Sequence, residues 1–204
     1  MPLLDNQEML QAQILGKAPI TAHGAIYAGI VSTGTPPDVV RFMAHLGYRL
    51  ARAGYTLRSG ATHAYKETFL AGCTRAGGAV EIWLPWAGFA GHQGHAFLPE
   101  LCHIEIAAQV HSGMLGPSKG AGRLVAMVAG PNLEKHAEFL VCWTPDGCES
   151  SKDKTHETGT TFTAIAAAEM FKVPVFNLQQ ADTVKRLAAF LNTARSARLQ
   201  SSTS

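Results

Sequence analysis

The sequence predicts an α/β fold, a Rossmann-like, doubly wound and mainly parallel sheet of five or more strands flanked by helices. Three observations carry this. Short apolar stretches rich in β-branched and aromatic residues alternate with longer segments whose apolar residues recur at helical spacing. Several joints between them are rich in glycine and threonine, where a strand hands over to a helix. A content of 47% hydrophobic and 16% charged residues over 204 positions suits one domain with a full core.

Residues 1–22, with NQEMLQAQIL, read as an N-terminal arm, 23–194 as the folded domain, and 195–204 as a flexible polar tail. The first strand is AIYAGIV (25–31). Pro36 and Pro37 then suit a first helical turn, where a missing N–H removes no hydrogen bond. Val39, Val40, Met43, Leu46, Leu50 and Ala51 recur at helical spacing, and Gly54 is placed to end that helix. YTLRSG (55–60) is strand two, a helix runs from Ala64 to Ala76 and stops at Gly77 and Gly78, and AVEIWLPW (79–86) is strand three. AGFAGHQGHAF reads as a loop, PELCHIEIAAQVHSGM as a helix with Pro99 near its start, and AGRLVAMVAGPNLEKH as another. EFLVCW (138–143) is strand four. A long polar loop, the helix TTFTAIAAAEMFK, strand five VPVFNL (173–178) and the helix ADTVKRLAAFLNTA complete the domain. No internal repeat is found.

Composition narrows the function. Apolar runs such as LAAFL (187–191) fall far short of the roughly 20 residues a bilayer requires. The start lacks the basic and apolar regions of a signal peptide, so a soluble, cytoplasmic protein with no membrane partner is expected. A net charge of +2 does not by itself indicate nucleic acid. Cys73, Cys102, Cys142 and Cys148 form no CxxC pair, and His92, His95, His103 and His111 match no zinc spacing. No metal site and no cofactor are therefore expected.

The glycine- and threonine-rich joints point to an anion. In an open parallel sheet, ligands bind beyond the strand carboxyl ends, where helix amino termini present N–H groups and the positive end of the macrodipole. GIVSTGTPP supplies Gly29, Ser32 and Thr33; RSGATHAYKE supplies Arg58, Ser59, Gly60 and Thr62; ETGTTFTA supplies Thr158, Gly159, Thr160 and Thr161. Thr144, after strand four, falls at the same edge. Arg58 and Arg123 are candidates to clamp a phosphate or carboxylate. Neither a Walker A motif nor GxGxxG is present.

Taken together, IYAGIVSTGTPPDVV, GYTLRSGATHAYKETFLAG, EIWLPWAGF, FLVCWTPDG and TGTTFTAIAAAEMFKVPVFNL resemble the SLOG superfamily over about residues 25–180. That superfamily includes DNA-processing-A-like proteins and the LOG phosphoribohydrolases, also called lysine-decarboxylase-like, and the likeness is greatest to small phage and bacterial DprA-like members. The resemblance implies a Rossmannoid fold, a nucleotide or nucleotide-derived signal as ligand, and a homo-oligomer. The chain departs from the pattern at Val31, Ser32 and Thr33, across Gly60 to Lys66, and at Thr163, where the LOG motif has a glutamate.

Cleavage of an N-glycosidic bond requires a carboxylate to stabilise an oxocarbenium-like sugar or activate water. Glu157, before Gly159, and Glu67, early in the second helix, are the candidates for catalysis, with Glu81 and Asp153 behind them. Trp86 and Trp143 lie in or just after strands, where stacking on a base and burial in the core are both open to them. The expectation is a nucleotide-binding protein, with nucleoside 5'-monophosphate hydrolysis left open. The alternative is a DprA-like recombination mediator that binds single-stranded DNA. The absence of a long basic stripe interleaved with aromatics favours the compact ligand.

Overall fold

A computed structural model describes residues 24–60, 68–111 and 118–201. The N-terminal arm, Thr62 and Glu67 lie outside the described residues. The elements run β1 (Ile26–Gly29), α1 (Pro37–Arg52), β2 (Thr56–Gly60), α2 (Phe69–Arg75), β3 (Val80–Trp83), α3 (Leu101–Val110), α4 (Lys119–Ala129), β4 (Phe139–Cys142), α5 (Phe162–Met170), β5 (Val175–Asn177) and α6 (Thr183–Ser201). The sheet is parallel throughout, in the order β3-β2-β1-β4-β5. This is the Rossmann-like arrangement the sequence predicts. The order reverses between β1 and β4, so their carboxyl ends diverge toward opposite connections.

Two apolar layers clothe the sheet. On one face α1, α2 and α6 pack Phe42, Leu46, Phe69 and Leu187 against Tyr27, Leu57, Phe139 and Phe176. On the other, α3, α4 and α5 cover Ala28, Leu140 and Cys142. The helix faces explain the sequence patterns. In α1 the buried residues Val39, Phe42, Met43, Leu46 and Leu50 form one stripe. In α5 every residue from Phe162 to Ala168 is buried, so the helix has no polar face to signal its orientation.

Local differences from the sequence reading have tertiary causes. The third strand stops at Trp83, because the chain turns away and returns to pair Phe97 beside it. Residues 195–201 continue α6, where the sequence predicts a flexible tail. Arg198 anchors that end, donating to the Tyr55 hydroxyl at 2.9 Å and pairing with Glu138. Among the described residues no helix is long and apolar enough to cross a membrane.

Candidate functional site

A cavity of about 550 Å³ opens between the amino ends of α4 and α5. Ser118 and Gly120 supply one wall, and Gly159, Thr160 and Thr163 the other, with Arg123 and His111 between them. The location follows from the topology. Helix α5 leaves the carboxyl edge of β4, and α4 returns across the same face, so both start at the carboxyl edge of the sheet.

Each wall has a local cause. The Ser118 side chain makes no capping bond to the first turn of α4, and that turn carries the positive end of the helix dipole. On the opposite side Gly159 takes φ 61° and ψ −150°, a conformation in which a side chain is strained, and it separates a 3₁₀ turn from the residues entering α5. Arg123 lies against Gly60: a Cβ there would fall 2.7 Å from its Nη1. The guanidinium also sits 5.7 Å from the centre of the Phe89 ring. Phe89 in turn meets Trp86 edge-on at 5.0 Å, and Trp86 is 52% exposed.

The Gly159 turn is held from behind by Asp146. This carboxylate accepts from the hydroxyls of Thr158 and Thr155, the latter at 2.7 Å, and from the Cys148 N–H at 3.2 Å. Burial pushes the Asp146 carboxyl up, but the hydroxyls of Thr158, Thr155 and Thr144 and the Cys148 N–H more than offset it and hold it well below the usual carboxylate range. Because the folded-state value is depressed, the stabilisation is present above the unfolded value near pH 4 and is lost as pH falls below it. Asp146→Asn should therefore flatten the loss of stability between pH 5 and pH 3 that urea denaturation reads in the parent. Equal losses in both proteins would contradict this role.

Of the residues expected to hold a ligand, Arg123, Gly159 and Thr160 line the cavity, and Gly60 backs Arg123. The other described ones do not line it. Gly29 is a packing glycine, because a Cβ there would fall 2.8 Å from Phe69 Cδ2. Ser32 donates to the Trp143 carbonyl at 2.9 Å and so ties the β1 loop to the β4 loop, while Thr33 is exposed in a turn whose next residue, Gly34, takes φ +87°. Arg58 is fully buried and turns back toward the amino edge of the sheet, donating from Nε to Glu81 and from Nη1 to the Lys135 carbonyl, each at 2.6 Å. Ser59 is buried in the strand. Thr144 is buried and accepts from the Asn177 amide at 2.7 Å. Thr158 and Thr161 are buried and do not line the cavity. Glu157 is exposed and does not line it either.

The histidines divide. His103 is a core residue: its Nδ1 accepts from the Glu100 N–H at 2.9 Å, so its Nε2 donates to the Gly130 carbonyl at 2.9 Å. His111, at the end of α3, places Nε2 2.8 Å from the Thr163 hydroxyl. Composition and spacing gave no reason to pair these two residues. No group of three or more His, Cys, Asp or Glu able to hold a metal occurs among the described residues. Trp143 is buried, donating to Gln179 at 3.0 Å, so of the two tryptophans it takes the core role and Trp86 the exposed one.

Fold and cavity together define a Rossmann-like α/β protein with a cationic cleft at the carboxyl edge of its sheet. Comparison with protein families, characterised proteins and solved structures finds no match to this chain.

Proposed function

We propose that this is a SLOG-like nucleotide-binding protein that holds a phosphate-bearing nucleotide or nucleotide-derived signal in the cavity between α4 and α5. The observation that carries the reading is the convergence of Arg123 with two helix amino ends on one cleft. Each helix end contributes roughly half a positive charge, and the guanidinium adds a full one with a forked donor geometry that matches phosphate. The exposed ring of Trp86, joined to Arg123 through Phe89, is suited to stack on a base. The described lining has no carboxylate, so binding rather than hydrolysis of an N-glycosidic bond is the activity proposed. Arg123 is the one full charge among the described lining residues, which fits a compact ligand better than a polymer such as single-stranded DNA.

The test is a thermal-shift panel of nucleoside mono- and diphosphates and ADP-ribose, paired with native mass spectrometry of the freshly purified protein. A ligand present at a hundred times its Kd stabilises the folded state by about 2.7 kcal/mol. In a chain of this size that raises Tm by about 5–10 °C. A flat panel at millimolar ligand would overturn the reading.

A further inference from the structure

Among the described residues of the cavity wall, His111 is the group that titrates near neutral pH. It is 9% exposed, its Nε2 is held 2.8 Å from Thr163 in the first turn of α5, and its ring meets Phe162 edge-on at 5.5 Å. Among the described residues, the charged groups placed around it are cations. Arg123 shares the cavity wall from α4, and the Lys154 ammonium lies 4.0 Å from the centre of the Phe162 ring. The first turn of α5 carries no charged side chain, and residues 112–117, which follow His111 in sequence, include none. Burial first, and the Lys154 charge second, hold the imidazole below its ordinary value, so the free protein carries it neutral at pH 7.

An anion acts in the opposite sense. It adds a negative charge beside the ring and offsets the cations that oppose protonation. We propose that His111 takes up a proton as an anion enters the cavity, and that this makes the site select a phosphate monoester over a phosphodiester. The inference rests on the phosphate reading of the cavity given above. A monoester carries a charge of about −1.5 to −2 at pH 7, so beside the ring it favours the protonated form more than a singly charged ligand does. Protonated His111 adds a unit of positive charge to that of the guanidinium and the two helix ends. A diester carries one negative charge and favours the protonated ring less. The proton comes from solvent and no covalent step is involved. Because binding raises the proton affinity of the ring, the monoester binds more tightly as pH falls through the bound-state value, and the gain levels off below the free-state value.

Isothermal titration calorimetry at pH 7, in buffers of different ionisation enthalpy, counts the protons taken up. The probes are adenosine 5'-monophosphate, inorganic phosphate and dimethyl phosphate, and the proteins are the parent and His111→Gln. The parent should take up more protons than the variant with the first two probes, the difference cancelling the ligand's own titration. At pH 6 the variant should bind the monophosphate several-fold more weakly, because a roughly tenfold rise in the ring's proton affinity gives its full, about tenfold, gain only below the free-state value. It should bind dimethyl phosphate within about twofold of the parent. Equal proton uptake, or equal loss of affinity for both ester classes, overturns the role of His111. A parent that binds neither the monophosphate nor inorganic phosphate overturns the phosphate reading itself. Should His111→Gln melt too low to titrate, histidine ring nitrogen chemical shifts in the parent report the same protonation. A ring moving toward the imidazolium on addition of the monophosphate supports the proposal, and no movement in any of the nine histidines overturns it.

Discussion

Alanine at Gly72 is expected to destabilise the fold by at least about 3 kcal/mol, the upper range for overpacking a core. The added Cβ would stand 1.8 Å from the Ala44 carbonyl oxygen and 2.7 Å from the Tyr48 nitrogen, both backbone atoms of α1. Gly47 makes the reciprocal approach, its Cβ position lying 2.4 Å from the Phe69 carbonyl oxygen. Helices α1 and α2 therefore cross backbone to backbone, and no rotamer change can relieve the contact. Separating them would also pull Phe69 and Leu46 out of the layer they share over the sheet. Helix propensity works in the opposite direction, because alanine is better than glycine by about 1 kcal/mol in a helix interior. The clash should win by a wide margin. Gly120→Ala is the control: its Cβ would lie 3.5 Å from Ser118 Oγ, an ordinary contact, and its stability should change by less than about 1 kcal/mol. Urea denaturation of the variants decides the matter, and a Gly72→Ala protein as stable as the parent would refute the backbone contact.

Much of this fold is legible in the sequence because its elements have local causes. The stripe from Val39 to Leu50, Pro37 in the first turn, and the strand around Tyr27 each follow from periodicity or backbone chemistry. The site is less legible because its geometry depends on direction. Arg58 has the chemistry of a phosphate clamp, yet its side chain runs back along the strand to Glu81 and Lys135, a choice made by the β2–β3 register. Gly29 resembles a place for a ligand to approach, but Phe69 occupies that space. Arg123, Gly159 and Thr160 do line the cavity, as residues at a helix amino end and a glycine turn can. His111 escaped because 52 residues separate it from Thr163, and the fully buried α5 gives no amphipathic signal of which neighbours it meets. Asp146 escaped for a related reason: its threonine donors come from a polar loop with no periodicity.

Arg123→Glu should lower affinity for a nucleoside monophosphate at least about a hundredfold, some 2.7 kcal/mol, and this is the largest effect expected on binding. A guanidinium and a phosphate about 4 Å apart attract by about 4 kcal/mol at an effective dielectric constant near 20. Salt and the partial exposure of the side chain reduce that figure, while the reversed charge adds repulsion. Arg123→Lys keeps the charge but loses the forked donor geometry, so a smaller loss of about tenfold is expected. Gly60→Ala tests the same group without altering its chemistry. The new Cβ would meet Arg123 Nη1 at 2.7 Å, and the end of a long side chain can move where a backbone cannot. Its Tm should stay close to that of the parent while affinity falls, which separates damage to the site from damage to the fold. Calorimetric titration of the three variants gives the comparison. If all three bind as the parent does, the ligand does not use this cavity. The search would then move to the crevice between β1 and β4, where Ser32 reaches the Trp143 carbonyl across the point at which the strand order reverses.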